Sequence, residues 1–364
     1  MAVKASGSPL SFSEIENEFG QNNDRDLGEY RVSQTVGGLS NKPLDSGIPQ
    51  SGAIKFSDFY SKKLNVVIDF HSGSTENRPN DARTKYQAGS ASGNRTIIGG
   101  FKDRVINDSS GSKVIIHVNK TIGSAAGNVN NCAVRTGSFE SGTDLTVDVG
   151  SSGKIFGAGG NGGNGSTSRT GAGNGADGTS ALGISYSGTV VNVASGGIIR
   201  QGYGGGGGGG GADGRQENSG KPFLSHRGSG GGGGAGLPGG EGGPVTGGNP
   251  GGEANAGADG GTNSAGSGGA APSDYSHGNE GGFAGGGKGG DGGDTEQSAQ
   301  NGNSGEAGGG EWESGPSTAN GGNAGGNGAA IRKASGISWS FGTNSGTVTG
   351  PGAGGSGESP TGIS

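Results

Sequence analysis

The chain has 364 residues, of which 95 are glycine and 26% are hydrophobic, whereas glycine ordinarily makes up about 7% of a protein. So few apolar residues exclude two conventional hydrophobic cores in a chain of this length. The net charge is −6, and residues 212–329 carry 4 basic against 13 acidic side chains. This balance argues against nucleic acid and anionic membranes as partners, because phosphate groups are bound by basic side chains.

The counts of cysteine and histidine and the lack of long apolar runs exclude further classes of protein. A single cysteine, Cys132, and four histidines exclude a disulfide framework and a structural zinc site. No apolar run reaches the roughly 18 residues of a membrane span, and the first residues lack the apolar core of a signal peptide. We therefore expect neither insertion into a membrane nor Sec-dependent export.

Two short, similar phrases predict an N-terminal module, residues 1–70. PLSFSEIENEFG (9–20) has the apolar spacing of an amphipathic helix, and Ser11 and Glu14 have the spacing of a capping box. The phrase recurs as SGAIKFSDF (51–59). Because helices this short are unstable alone, we expect them to pack on each other or on a partner. Their apolar residues, which form the candidate attachment surface, are Phe12, Ile15, Phe19, Phe56, Phe59 and Tyr60.

The residues that follow predict β-structure. KLNVVIDF (63–70) alternates apolar and polar residues as a strand does, which makes the N-terminal module α+β. This module is either a small domain with its own core or a docking module that fixes the chain to a larger assembly. Residues 71–150 form a predicted β-rich neck with short β-type runs such as KVIIHV (113–118) and DLTVDV (144–149).

A phrase made of a strand, a turn, a second strand and a glycine tract occurs repeatedly. LTVDVGSSGKIFGAGG (145–160) aligns with VVNVASGGIIRQGYGGGG (190–207), and SGTVTGPGAGG (345–355) repeats the second half. Repetition of this kind predicts a scaffold in which β-strands begin and end the runs of glycine.

Three interpretations apply to the glycine tracts of the predicted third region, residues 151–364. Collagen is excluded, because glycine does not occupy every third position. Disorder is the simplest interpretation, since glycine loses the most entropy on ordering. A bundle of polyglycine II helices is the third, because such helices hydrogen-bond to their neighbours, and interruptions by Ala, Asn and Asp favour it. The six main tracts are 202–211, 228–243, 247–261, 281–293, 305–310 and 320–328.

Polar segments join the tracts and contain nearly all the large side chains of this region. These joining segments are 212–229, 270–283, 294–304 and 311–319. Aromatic side chains on loops of a rigid scaffold are typical of recognition surfaces, and the alternative is that they cap the ends of the bundle. The candidate recognition residues are Phe223, His226, Arg227, Tyr275, His277 and Trp312.

The glycine-rich region resembles a known family. GKIFGAGGNGGNG (153–165), GGIIRQGYGGGGGGGGADG (196–214) and GGGGAGLPGGEGG (231–243) look like the glycine-rich domain of distal long-tail-fibre adhesins of T-even-like bacteriophages. The resemblance extends over 145–364. It implies a layered bundle of polyglycine II helices whose loops bind the bacterial receptor, and it therefore assigns the candidate recognition residues to receptor binding.

The N-terminal region resembles a second group. SFSEIENEFG (11–20), LGEYR (27–31) and IPQSGAIKFSDFY (48–60) are similar to a segment at the start of tail proteins in marine and cyanobacterial phages. This resemblance implies that the N-terminal module attaches the chain to other phage tail or fibre proteins. Residues 1–140 differ from the T-even adhesins.

Motifs for catalysis and ligand binding are weak. GxGxxG at Gly157, Gly159 and Gly162 follows from composition alone, and no P-loop is present. GGKGGDGGD (286–294) matches part of a calcium-binding repeat, but no tandem copy follows it. The carboxylate pairs, which could act as glycosidase acids, are interpreted as solubilising charges: Glu311 with Glu313, and Asp291 with Asp294. His71, His117 and Cys132 are expected to be structural.

These observations predict a mainly β and irregular fold, with a small N-terminal α+β module, short β-strands and a glycine-rich bundle of polyglycine II helices with polar loops. The resemblance implies a phage virion protein of the tail fibre or tail tip, assembled in the host cytoplasm, that binds an outer-membrane protein or polysaccharide of the host. The alternative is a purely structural virion protein of the collar, baseplate or capsid surface. A capsule-degrading enzyme is the third hypothesis, and we expect no enzymatic activity, cofactor or metal.

Overall fold

The structure is a computed structural model, and it is mostly β-strand with very little helix. It describes residues 3–19, 27, 48–49, 51–62, 65–70, 91–92, 95–98, 113–137, 139, 141–166, 170–216, 224–245, 254–272, 275–276, 283–308 and 312–363. The prediction of a mainly β and irregular fold is confirmed. Within these residues the one α-helix, α1, spans Phe12–Phe19.

The strands fall into a parallel group and an antiparallel group. Their bounds are β1 Asn65–Phe70, β2 Ala91–Ser92, β3 Arg95–Ile98, β4 Lys113–Val118, β5 Thr121–Ile122, β6 Cys132–Arg135, β7 Asp144–Val149, β8 Lys154–Phe156, β9 Ser180–Ile184, β10 Thr189–Val193, β11 Ile198–Arg200, β12 Ala212–Gln216, β13 Leu224–His226, β14 Tyr275–Ser276, β15 Phe283–Gly285, β16 Glu306–Gly308, β17 Trp312–Thr318, β18 Ile331–Lys333, β19 Trp339–Asn344 and β20 Thr347–Thr349.

The parallel strands form a three-sided solenoid. Successive coils consist of β4-β5-β6, β7-β8-β9, β10-β11-β18 and β19-β20. Equivalent strands stack in parallel into three sheets: the first contains β4-β7-β10-β19, the second β5-β8-β11-β20 and the third β6-β9-β18. Each coil thus supplies one strand to each face, and the fourth coil supplies strands to two of them.

The core of the solenoid lies between the three sheets. In β7 the burial alternates, so that Leu145, Val147 and Val149 are buried, as expected for a strand with one face inward. In the second sheet Ile155 pairs with Ile199, and both are fully buried. The apolar residues that are few in the sequence are therefore concentrated in this one core.

The predicted repeat corresponds to neighbouring coils in register. Thr146 pairs with Val190 in the first sheet and Lys154 with Ile198 in the second, and Thr347 lies beside Ile198. The repeated phrases are therefore confirmed as equivalent strands. An earlier copy, VIIHVNKTI (114–122), was not recognised as part of the repeat, although β4 and β5 form the first coil.

The N-terminal module shares one hydrophobic core with the solenoid. The Ser11 N–H donates to Glu14 Oε2 at 2.7 Å and the Glu14 N–H to Ser11 Oγ at 3.3 Å, which confirms the capping box at the start of α1. The second phrase forms only a 3₁₀ turn, Phe56–Phe59. The Phe12 and Phe56 rings meet edge to face at 6.0 Å, so the two phrases pack on each other as predicted.

Strand β1 joins this module to the solenoid. It runs parallel to β4 and antiparallel to β3, so the first sheet continues as β4-β1-β3-β2. Ile68 and Phe70 of β1 are buried in the common core, together with Ile15 and Phe59 of the N-terminal module. Among the attachment candidates, Ile15 and Phe59 are therefore buried core residues, and Phe56 is 39% exposed.

The remaining attachment candidates have different surroundings. Tyr60 is half-buried, and its hydroxyl donates to the Ser8 carbonyl at 2.7 Å. Phe12 is partly buried against the core. Phe19 ends α1, and its side chain lies outside the described part of the structure.

The residues predicted to be structural lie inside the solenoid. His117 is buried on β4, with Nδ1 at 2.7 Å from Asp69 Oδ1 on β1. Cys132 is buried on β6, and burial raises the pKa of its thiol to about 11. Both residues are buried, as expected for structural residues. His71 lies outside the described residues.

The glycine-rich parts of the chain are inserted at one corner of the solenoid, between the second and third sheets. The second coil carries one insertion between β8 and β9, and the third coil carries a much longer one between β11 and β18. The boundary predicted at residue 150 falls between β7 and β8, within one coil. The solenoid therefore continues on both sides of the inserted residues.

Both insertions form one bundle of ten segments that run alternately away from the solenoid and back. The segments are 157–166, 170–179, 202–211, 228–236, 238–245, 254–261, 264–270, 286–294, 297–305 and 319–328. The tract predicted over 228–243 is wrong as a single unit, because it turns back at Leu237. Residues 305–310 are also not a tract, since they include β16, and most of the predicted joining segment 294–304 belongs to the bundle.

Hydrogen bonds between the segments repeat every third residue. The N–H groups of Gly202, Gly205 and Gly208 donate to carbonyls of segment 170–179 at 2.8–2.9 Å. The N–H groups one position further along the same segment donate to carbonyls of 228–236. Those two positions further along donate to carbonyls of 297–305. One glycine segment therefore directs its N–H groups toward three neighbours in turn.

Two central segments have six neighbours each. The carbonyl groups of 202–211 accept hydrogen bonds from three further segments, 157–166, 286–294 and 319–328. Segment 228–236 likewise bonds to six segments, which are 157–166, 202–211, 238–245, 254–261, 264–270 and 286–294. These two sets together include all ten segments, so the bundle is packed hexagonally around two central segments.

Candidate binding surface at the tip of the bundle

Three connections at the end of the bundle far from the solenoid form short antiparallel sheets. In one sheet β12 lies between β13 and β17, and in the other β15 lies between β14 and β16. Strand β12 contacts both β15 and β16, β13 contacts β15, and β16 contacts β17. We call strands β12 to β17 the tip. It combines three of the four joining segments identified in the sequence.

The tip contains the backbone of three of the six candidate recognition residues. His226 ends β13 opposite Ala212, Tyr275 begins β14 opposite Ala284, and Trp312 begins β17 opposite Gln216. The structure therefore brings His226, Tyr275 and Trp312 to one end of the molecule. Their side chains lie outside the described part, as do Phe223 and His277 entirely.

Arg227 marks the lower edge of the tip. It follows β13 directly, is half-buried, and precedes the bundle segment that begins at Gly228. An added Cβ on Gly286 would contact the Arg227 carbonyl, so the chain is tightly enclosed at this point. Arg227 thus lies where the tip meets the bundle.

Buried serines anchor the tip to the bundle. Ser166 Oγ accepts a hydrogen bond from the Gly211 N–H, immediately before β12. Ser229 Oγ donates to the Ala270 carbonyl, and both serines are buried. The Ala319 N–H, which follows β17, donates to the Gly211 carbonyl at 2.8 Å. These bonds fix the ends of the tip strands relative to one another.

Asparagine and aspartate side chains complete the hydrogen bonding at the margin of the bundle. Asn174 Oδ1 and Asp177 Oδ1, three residues apart, accept the N–H groups of Asn323 and Gly326 at 2.9 and 2.6 Å. Asp259 Oδ1 accepts from the Gly242 N–H at 2.8 Å. At the margin, a side-chain oxygen is the hydrogen-bond acceptor, whereas inside the bundle the acceptor is a backbone carbonyl of a neighbouring segment.

Two further carboxylates do the same and correct the interpretation of Asp291 and Asp294 as only solubilising charges. Asp291 Oδ1 accepts from the Gly268 N–H at 2.7 Å. Asp294 accepts from Ala265 at 3.1 Å and from both Glu296 and Gln297. Burial alone raises the pKa of Asp294, but these three N–H groups outweigh it and lower the pKa below its ordinary value. Both carboxylates are structural acceptors.

Sequence reasoning missed this role of Asn and Asp. The signal was present, because Asn161 and Asn164, Asn174 and Asp177 recur at intervals of three residues within the glycine-rich phrases. Three is also the period of hydrogen bonding between segments. Polar residues at that spacing were interpreted as interruptions.

The described residues offer little for other chemistry. Within them, no three His, Cys, Asp or Glu side chains are grouped as metal ligands. None of the helices they include has the length and apolarity needed to cross a bilayer. Searches of known protein families, curated proteins and solved structures gave no match to this chain.

Proposed function

We propose that this chain is a bacteriophage virion protein, an adhesin at a tail fibre or tail tip that binds a receptor on the host cell surface. The observation that carries the proposal is the tip, where three segments distant in sequence meet at one end of a densely bonded bundle. Exposed connections held by a rigid scaffold are a common arrangement for recognition. The resemblance of the glycine-rich phrases to T-even adhesins supports the same function.

We infer that the ten segments are polyglycine II helices. Bonding to each neighbour at every third residue matches a helix with three residues per turn and no internal hydrogen bonds. At about 3.1 Å per residue, a ten-residue segment holds the tip roughly 30 Å from the solenoid. Because backbone groups bond between segments, such a bundle needs no apolar core.

The proposed mechanism is multivalent, non-covalent recognition without an enzymatic step or cofactor. The tip contacts an outer-membrane protein or polysaccharide of the host, and the N-terminal module attaches the chain to other tail or fibre proteins. The 39% exposure of Phe56 beside the partly buried Phe12 supplies an apolar contact for this attachment. The acidic bundle separates the two surfaces.

Locating the chain on the virion tests this function against the structural alternative. Antibody fragments raised against the bundle and bound to intact particles are imaged by electron microscopy. We expect label at the free ends of the fibres or at the tail tip. Label on the capsid, collar or baseplate supports a purely architectural role instead, and particles without label contradict both.

Substitution in the tip tests receptor binding directly. Trp312→Ala and Tyr275→Ala proteins compete with intact phage for adsorption to host cells, and Phe56→Ala serves as the control outside the tip. If these aromatic residues are binding hot spots, each tip variant needs about 30-fold more protein for the same inhibition. Unchanged competition by the double variant, with an unchanged circular-dichroism spectrum, contradicts the adhesin function. Shortening of purified host polysaccharide by the wild-type protein would instead indicate a degrading enzyme.

A further inference from the structure

The chain contains six Asn-Gly pairs, and all of them lie in the bundle. Their asparagines are Asn161, Asn164, Asn174, Asn301, Asn320 and Asn327. Asn-Gly is the dipeptide most prone to spontaneous deamidation, because glycine places no side chain against the attacking main-chain nitrogen. All six asparagines are exposed, so access of water does not distinguish them.

Hydrogen bonding does distinguish them, because ring closure needs a free glycine nitrogen. In five pairs the glycine N–H donates to a backbone carbonyl of another segment at 2.8–3.0 Å; these glycines are Gly162, Gly165, Gly175, Gly302 and Gly328. In the sixth pair the one acceptor that the Gly321 N–H reaches among the described residues is the Ser304 hydroxyl, at 3.5 Å. That distance is beyond an ordinary N–H···O bond.

The asparagine side chains add a second restraint at four of the protected pairs. The Oδ1 atoms of Asn161, Asn174, Asn301 and Asn327 each accept a backbone N–H at 2.7–3.1 Å. These bonds restrain the side-chain amide, which must be free to turn toward the following nitrogen before the two can react. Reaction at such a pair requires the local segment to open first.

We propose that Asn320 is the deamidation site of the folded protein. The Gly321 nitrogen bonds to Cγ of Asn320, the bond from Cγ to the side-chain nitrogen breaks, and ammonia leaves with the proton of the Gly321 N–H. Water then opens the succinimide at one of its two carbonyls and gives aspartate or isoaspartate. Each molecule of ammonia released is balanced by one molecule of water consumed.

The position gives this reaction a consequence for the tip. Asn320 lies two residues after β17 ends at Thr318, in the segment that returns from the tip to the solenoid. Either product adds a negative charge there, and isoaspartate also lengthens the main chain by one carbon. Deamidation therefore changes the charge and the main-chain length of the segment that follows β17, and it does so progressively as the protein ages. This inference does not depend on what the tip binds.

Mass-spectrometric peptide mapping of the full chain during incubation in mildly alkaline buffer tests the proposal. We expect deamidation at Asn320 about tenfold or more faster than at any other pair, since the others must first break one or two hydrogen bonds. In denaturant all six pairs should react at similar rates. An isoaspartate-specific methylation assay identifies the lengthened product.

Matched variants complete the test. Asn320→Gln should abolish most of the deamidation of the folded protein, whereas Asn164→Gln, an exposed residue on segment 157–166, should leave its rate unchanged. Equal rates at Asn320 and the protected pairs in the folded protein, or an intact Asn320 after the denatured protein has reacted, overturns the proposal.

Discussion

Glycine at the centre of the bundle is required by the closeness of neighbouring backbones. A Cβ built on Gly207 would lie closer than 3.0 Å to the Gly322 carbonyl, and one built on Gly206 would meet the Gly290 carbonyl in the same way. Main-chain atoms of a neighbouring segment cannot rotate away as a side chain would. The glycines of the central segments are therefore packing residues.

Gly207→Ala and Gly171→Ala test this packing as a matched pair. A Cβ on Gly171 meets nothing within 4 Å. We expect Gly207→Ala to destabilise the fold by about 1–3 kcal/mol or more, as overpacking does, and Gly171→Ala to be neutral or slightly stabilising. Denaturant unfolding of the two variants measures the difference. Equal midpoints contradict close packing around Gly207.

The Asp294 carboxylate gives a pH-dependent contribution to stability. Burial raises its pKa, but N–H donors from Glu296, Ala265 and Gln297 lower it below the ordinary value of 3.8. Because the pKa is lower in the folded state, this contribution is present at neutral pH and is lost as the pH falls below 3.8. Thermal unfolding of Asp294→Asn should show a deficit at neutral pH that shrinks in acid. A deficit independent of pH contradicts a role for the charge.

At the scale of elements, the solenoid and the bundle satisfy their backbones in different ways. Solenoid strands bond to the coils on either side and bury Val147, Ile155 and similar side chains between the sheets. Bundle segments bond in up to six directions and bury backbone. An outer segment has fewer neighbours, and Asn174 and Asp177 on segment 170–179 supply the missing acceptors.

Asp177 allows the acceptor role to be separated from the charge. Asp177→Asn keeps an oxygen for the Gly326 N–H and should leave stability nearly unchanged. Asp177→Ala removes the acceptor and should destabilise by about 0.5–1.5 kcal/mol. Chemical unfolding of both variants under the same conditions measures the difference. Equal loss in the two variants would mean that the charge, and not the hydrogen bond, stabilises this margin.

At the scale of the whole molecule, stability is expected to be greatest along the axis of the bundle and in the solenoid. The central segments 202–211 and 228–236 are enclosed by eight others. Opening any central amide therefore disturbs several segments at once, whereas an outward-facing amide is exposed already.

Amide hydrogen exchange measures this gradient. We expect the amides of Gly205, Gly206 and Gly207 to be among the slowest, and those of Asn174 and Asp177, which have no acceptor within the described residues, to exchange far faster. Fast exchange throughout 202–211 would contradict an ordered bundle in solution.

The sequence was sufficient to predict the repeated strands, because each coil buries the same alternating apolar positions, such as Val147 and Val191. It was insufficient for the bundle segments rich in Asn and Asp, such as 297–305, since their polarity is typical of loops and their order depends on neighbours. The turn at Leu237 within a long tract has no local signal strong enough to place it. Pairing of β12 with β17 joins residues about a hundred positions apart, and no local pattern determines it.

Both insertions leave and rejoin the solenoid at the same corner. The third sheet is continuous across them, because Val134, Leu182 and Ile331 pair in register although the lengths of chain between them differ greatly. Changes of sequence in the tip therefore do not affect the residues that hold the solenoid together. A lineage can lengthen, shorten or exchange the connections between bundle segments while each coil keeps its partners. The fold thereby permits rapid change at one end and conservation at the other within a single chain.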